Sequence, residues 1–414
     1  MDYFTYQQNQ LYAESCALTD LAEQFGTPAY IYSKKTLQRH WHAFDEALSG
    51  MPHQICYAVK ACSNIAILQQ LVALGSGFDI VSGGELARVL AAGGEGRKVV
   101  FSGVAKQASE LTYALENQIG CINVESREEL ALIEQVAAEV GVKAPIALRI
   151  NPDIDAKTHP YISTGLQQNK FGIDFRDALA VYQQANASEH LTIVGISCHI
   201  GSQLMTLAPY QAALKRLLET VAQLKNVGIL LSHIDLGGGL GVRYTNEEPP
   251  SPQAFGAAIV PMLAPLGIPL FIEPGRAIMA NAGVLLTRVL MVKKTREKTF
   301  VITDAAMNDL LRPSLYGAVH QIENVSAAPN APIETVDVVG PVCETGDFFA
   351  KEVSLAASPG DLLVIRGAGA YGFSMSSQYN SRPRACEVLV SDRSAHLIQA
   401  RETISDLFAH ERLL

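Results

Sequence analysis

The chain has no lysine- and arginine-rich block, no C-x-x-C pair and no apolar run long enough to cross a bilayer. Its net charge of −9 is spread along 414 residues, and without clustered cations nucleic acid is excluded as a main partner. The missing C-x-x-C removes zinc ribbons and thioredoxin-type redox centres, and no metal site is expected. Seven cysteines, an odd number, stand at positions 16, 56, 62, 121, 198, 343 and 386. Several lie in apolar runs such as Ile55-Cys56-Tyr57 and Gly120-Cys121-Ile122, where a thiol serves as a small buried hydrophobe. The opening MDYFTYQQNQ carries neither the basic nor the apolar region of a targeting segment. Together these absences predict a soluble cytoplasmic protein with reduced thiols and no membrane partner.

What is present is ample core material. Hydrophobic residues make up 48% of the chain, and its length suits two domains. From residue 53 to 276, eight β-rich runs alternate with amphipathic stretches: HQICYAVK, GFDIVS, KVVFSG, GCINVES, PIALRIN, TIVGISCHIG, SHIDLGGG and PLFIEPGR. Ser82 followed by Glu85, and Ser126 followed by Glu129, have helix-capping spacing directly after a strand. Strand, cap and helix repeated eight times predict an α/β fold of the (β/α)8 TIM-barrel type, with a doubly wound open sheet as the competitor.

After residue 280 the rhythm changes to strands without long helices: 283–294, 299–306, 334–341, 361–369 and 385–392. This predicts a C-terminal antiparallel β-barrel or sandwich domain. The first thirty residues make no βα unit of their own and are expected to return to it. The expected division is therefore a barrel over 31–278 and a discontinuous β domain from 1–30 and 279–414.

In a βα barrel, chemistry collects at the carboxyl ends of the strands. Lys60 ends the first, Asp79 and Ser82 the second, Ser102 the third and Asn151 the fifth. His199 to Ser202 end the sixth, Gly237 to Gly239 the seventh and Glu273 to Arg276 the eighth. Behind an apolar strand, Lys60 is either a desolvated amine suited to Schiff-base chemistry or a strand-end lysine in solvent. The triple glycine is either a phosphate cradle or a tight turn.

The motifs YAVKA (57–61), FDIVSGGEL (78–86), HIGSQ (199–203), DLGGGLG (235–241), EPGR (273–276), GPVCETGD (340–347) and GAYGFSMSSQYNSRP (369–383) resemble those of the alanine-racemase-fold decarboxylases. These enzymes depend on pyridoxal 5'-phosphate (PLP). Within them the chain is most similar to the diaminopimelate decarboxylase family, with the motifs in the family order over nearly the whole length. One departure is Cys62, where family members commonly carry asparagine.

The resemblance implies roles. Lys60 would hold PLP as a Schiff base, Glu273 would bond the pyridine nitrogen and His199 would stack on the ring. Asp79, Ser202, Gly239, Gly275, Arg276 and Tyr371 complete the implied cofactor set. A carboxylate at the ring nitrogen makes the ring a strong electron sink, as decarboxylation needs. The implied substrate is meso-diaminopimelate, converted to L-lysine and CO2. Arg276 and Arg312 would grip its remote carboxylate in fork geometry, Glu344 its remote ammonium, with Tyr316 and Tyr371 adding phenols. Cys343 would be the acid on the face opposite Lys60, acting in the neighbour's site of a head-to-tail homodimer. Residues 151–172 are long for a βα connection, and His159 and Lys170 are their interesting members. Decarboxylation of ornithine, arginine or carboxynorspermidine, and an inactive binding relative, are the alternatives. An inactive relative would have lost the lysine or the glycines, and this chain keeps both.

Overall fold

The computed structural model describes residues 2–154, 170–327 and 332–414. It divides into two compact units: His40–Val242 with Glu248–Ala277, and residues 1–39 with Arg243–Glu247 and Ile278–Leu414.

The first unit is a closed parallel barrel. Its eight strands are His53–Ala58, Gly77–Ile80, Val99–Phe101, Cys121–Val124, Ala144–Asn151, Leu191–Ser197, His233–Asp235 and Leu270–Ile272. Each pairs in parallel with the next, and the eighth pairs with the first through Ile272 and Ile55. An open sheet would leave those two edges unpaired. The second, third, fourth and seventh strands are wholly buried, as expected where helices cover one face and the barrel interior fills the other. Cys56, Val100, Cys121 and Ala147 pack together in one cluster. Burial pushes the thiols of Cys56, Cys121 and Cys198 well up, so these are packing residues.

The strand-to-helix joints follow the capping pattern with one difference. Ser82 Oγ accepts from Glu85 N at 3.2 Å and Ser126 Oγ from Glu129 N at 3.1 Å. The glutamates do not return to the cap residue. Glu85 accepts from Val81 N at 2.8 Å and Glu129 from Glu125 N at 2.7 Å, one residue further back. Each cap thereby fastens the last residue of the preceding strand loop as well as the helix.

The second unit is built on the twelve-residue strand Gly283–Lys294. Ala29–Ser33, Thr299–Thr303 and Leu362–Ile365 pair with it antiparallel. Phe348–Ala356 and Ser394–Gln399 add further antiparallel hairpins. Two pairings depart from the antiparallel expectation: Thr299–Thr303 runs parallel to Ile333–Val339, and Ala29–Ser33 runs parallel to Cys386–Ser391. Both join strands far apart in sequence, so no hairpin fixes their direction. The amino-terminal segment is integral here, with Leu11, Leu18 and Ile31 packed with Val284, Val364 and Val388. Among the described residues no helix is long and apolar enough to cross a membrane.

Candidate active site

At the end of the first barrel strand the chain turns into a single 3-10 turn, Val59–Ala61, which carries Lys60. Its Nζ lies 2.8 Å from Asp79 Oδ2, a carboxylate with no solvent exposure at the end of the second strand. Lys60 is half-buried and ion-paired, so it is neither fully desolvated nor simply reaching into solvent. Two further acids, Asp235 and Glu273, stand buried at the ends of the seventh and eighth strands.

Burial, reinforced by the charges of Asp235 and Asp79, pushes the Glu273 carboxyl well up; Lys60 opposes this. Burial likewise pushes Asp235 up to about 6, against a hydrogen bond from Gly237 N at 2.8 Å. The crowding of buried carboxyls at this end of the barrel thus raises the proton affinity of Glu273. Ser102 Oγ donates to Glu273 Oε1 at 3.4 Å and Asn123 Nδ2 to Ser102 Oγ at 3.1 Å, bracing that carboxyl from the third and fourth strands.

His199 is half-buried, and desolvation with the cations of Arg149 and Lys60 holds its imidazole well below the usual range. Its Nδ1 accepts from Gly238 N at 3.2 Å, which places the proton of the neutral ring on Nε2. The glycines after the seventh strand admit no side chain. A Cβ at Gly238 would stand 2.2 Å from Glu273 O, and one at Gly239, where φ is +104°, 2.2 Å from Gly201 O. Gly275 is held against Ala58 and Ala61, where a Cβ would meet both methyls at 3.0 and 3.1 Å. Arg276, buried at the start of the helix Arg276–Met279, donates from Nε and Nη2 to Ser202 Oγ at 3.2 and 3.0 Å. Ser202 and Arg276 thus form one polar group beside the glycine turn.

Lys60, Ser102, Asn123, Arg149, His199 and Glu273 line a cavity of about 360 Å³, within the size range of cofactor sites. Sequence reasoning missed three members of this mouth: Asn123, inside GCINVES, and two charged residues. Asp235 sits in the DLGGGLG motif, of which only the glycines were used; an acid at the same strand end as Lys60 and Asp79 was the available signal. Arg149 was passed over inside PIALRIN. It pairs with buried Glu125 at 2.7 Å, and its guanidinium lies 4.8 Å from the centre of the Phe171 ring. Glu125 also accepts from Gly103 N at 3.2 Å and Gly172 N at 2.8 Å, tying three chain segments together. An arginine in an otherwise apolar strand was the sign. Cys62 is buried, and its backbone carbonyl accepts from Tyr57 OH at 3.1 Å.

Five expected site residues belong to the β unit. Arg312 and Tyr316 open and close the short helix Arg312–Tyr316. Arg312 is buried, not a surface salt-bridge residue: Nη1 donates to His320 Nε2 at 2.9 Å, and the guanidinium lies 4.6 Å from the Tyr244 ring centre. Ser314 of the same helix donates to Gly346 O at 2.5 Å, linking it to the GPVCETGD turn. In that turn Cys343 and Glu344 are exposed, while buried Asp347 accepts from Met307 N at 2.7 Å and Val342 N at 2.8 Å. Tyr371 stands at φ +57° in a turn packed closely on Gly283 and Tyr30. Lys170 is exposed, with Nζ 5.4 Å from the Phe171 ring centre; His159 lies outside the described residues.

A closed βα barrel with a buried acid and a lysine at its mouth defines an enzyme-type scaffold, and the comparisons give its class. The sequence profile described as "Pyridoxal-dependent decarboxylase, pyridoxal binding domain" matches residues 34–280. The chain belongs to the pyridoxal-dependent decarboxylases of this fold. It is 55% identical to a diaminopimelate decarboxylase of Pseudomonas aeruginosa over 414 residues, covering all of both chains. A Vibrio cholerae diaminopimelate decarboxylase is likewise 55% identical over the full length of both. Among solved structures, the Helicobacter pylori diaminopimelate decarboxylase complexed with L-lysine is 45% identical with a TM-score of 0.92, over 95% of this chain and 99% of that one. An M. jannaschii diaminopimelate decarboxylase superposes with a TM-score of 0.95 at 37% identity, over 100% and 98%. The particular family is therefore that of the diaminopimelate decarboxylases.

Proposed function

We propose that the protein removes CO2 from meso-diaminopimelate with PLP as cofactor, yielding L-lysine. Bound PLP would supply the electron sink that takes up the pair left when the carbon–carboxylate bond breaks. The observation that carries the reading is the buried Glu273 carboxyl in the same cavity as Lys60, which is paired with Asp79. The fit to PLP rests on that acid, on the neutral His199 ring and on a glycine turn closed to any Cβ.

Each residue then has a task. Lys60 would attach the cofactor, and Asp79, 2.8 Å away, holds the Lys60 side chain at the barrel mouth. Glu273 would bond the ring nitrogen, and His199 would offer an uncharged face to the ring. The Gly239 turn, Gly275, Ser202, Arg276 and Tyr371 take the phosphate. For the substrate, Arg312 with Arg276 is matched to a distal carboxylate, with Tyr316 and Tyr371 as hydrogen-bond donors and Glu344 for the distal ammonium. Ornithine and lysine lack that carboxylate, which ranks diaminopimelate first. Cys343 Sγ–H donates the proton that replaces CO2. We further infer a homodimer in which each β unit supplies Cys343 and Glu344 to the neighbour's barrel.

The test is an absorbance spectrum and a CO2-release panel. The PLP-loaded protein should show a lysine-linked PLP band that borohydride or Lys60→Ala removes. Release from meso-diaminopimelate should exceed that from ornithine, arginine and lysine by at least ~100-fold, the scale of a lost buried ionic contact. Comparable rates on ornithine overturn the substrate assignment, and absence of the band overturns the enzyme.

A further inference from the structure

We infer that Tyr379 and Asn380 form a clasp that aims Cys343 and Glu344, two neighbouring residues gripping two neighbouring residues. The inference rests on the roles just proposed for the thiol and the carboxylate. Asn380 Oδ1 accepts from the Cys343 backbone N–H at 2.9 Å, and Tyr379 OH donates to Glu344 Oε2 at 3.1 Å.

Both functional side chains are exposed, so packing does not fix them. An exposed thiol and carboxylate on a turn sample several rotamers, whereas proton delivery tolerates little displacement; a misplacement of about 1 Å can cost 10²-fold in rate. The clasp supplies the missing constraint at the backbone of one residue and the carboxylate of the next. By occupying Oε2, Tyr379 leaves Oε1 of Glu344 for a cation. The Glu344 carboxylate in turn pushes the Tyr379 phenol up, so the phenol keeps its proton and remains a donor.

The gripping side is itself anchored. Ser377 N donates to Asn308 O at 2.9 Å, and Arg382 Nε to Asn308 Oδ1 at 3.2 Å. Gln378 Nε2 and Arg384 N both donate to Glu402 Oε2, each at 2.9 Å. Between these anchors, Asn380 and Ser381 both take left-handed backbone, with φ of +58° and +53°. Two consecutive non-glycine residues there are unusual, and strained backbone of this kind persists where the surroundings over-determine it. Asparagine is among the side chains that tolerate the region, and the turn points its carboxamide at the Cys343 turn. An aspartate would also accept the hydrogen bond but would place a charge beside the thiol and Glu344.

The experiment uses the PLP-loaded full chain. Asn380→Gly suits the left-handed turn and removes the side chain with its carboxamide, so the backbone fold is retained. We expect kcat to fall at least tenfold, KM for meso-diaminopimelate to change less than twofold and the PLP band to stay unchanged. Tyr379→Phe should instead raise KM at least fivefold with kcat nearly unchanged. Asn380→Asp should move the pH midpoint of iodoacetamide alkylation at Cys343 upward, read by peptide mass analysis. Unchanged kcat in Asn380→Gly, with an unchanged alkylation rate at Cys343, overturns the clasp. Cys343→Ala separates this from the parent reading. If that variant keeps turnover, the acid assignment fails, and the alkylation measurement alone still decides whether Asn380 sets the environment of the thiol.

Discussion

The buried acid pair makes a quantitative prediction. Asp235 is displaced from 3.8 to about 6, chiefly by burial, so its folded-state proton affinity exceeds that of the unfolded chain. Stability from such a group is fully present below about pH 3.8 and is lost as pH rises through about 6. The loss corresponds to about two pKa units, or ~3 kcal/mol, reduced where Glu273 shares its proton. Asp235→Asn removes the ionisation while keeping Oδ1 for the Gly237 N–H, and its amide can donate to Glu273. The variant should therefore be more stable than the parent at pH 8. With an unfolding entropy of ~2.1 cal/mol/K per residue over the chain, ~3 kcal/mol raises Tm by about 3 °C if the chain unfolds as one.

At pH 5 the advantage should shrink to about half, because the parent is then largely protonated. Calorimetry on cofactor-free protein at the two pH values is the assay, so that cofactor binding does not add to either state. A variant no more stable than its parent at pH 8, or a difference that does not grow with pH, refutes the reasoning.

Gly239→Ala should lose more than ~2 kcal/mol of stability, because it combines a left-handed φ with a 2.2 Å approach to Gly201 O. The same substitution should weaken PLP binding at least tenfold, read by fluorescence titration. Glu125→Gln leaves the buried Arg149 uncompensated and should cost about 3 kcal/mol, measured as a lowered urea midpoint with unchanged slope. Arg312→Lys keeps the charge but loses the planar guanidinium over Tyr244, and should raise KM for diaminopimelate at least tenfold at nearly constant kcat.

The barrel was legible because its signals are local. Ser82 and Glu85 are three residues apart and report on one joint, and the same holds for Ser126 and Glu129. Repetition of that joint, with a buried strand before each, carries the architecture without knowledge of any long-range contact. The β unit was less legible because its order is set at long range. Ala29–Ser33 lies between Gly283–Lys294 and Cys386–Ser391, and nothing within residues 29–33 names either neighbour.

The site divides along the same line. Lys60, Glu273 and the glycines could be picked out because each sits in a motif at a strand end. What could not be read is which groups face one another, and that decides their ionisation. Lys60 alone reads as a desolvated amine; with Asp79 at 2.8 Å it is half of an ion pair. Glu273 alone reads as an ordinary carboxylate; burial, with Asp235 and Asp79 nearby, raises its proton affinity. Cys343 alone is an exposed thiol, and the residue that accepts its backbone N–H lies 37 positions later. Residue types therefore announce the chemistry available here, while charge state and aim come from partners contributed by other strands and turns. A substitution at a partner should accordingly shift pH dependence or the balance of kcat and KM, whereas one at a motif residue should abolish activity outright.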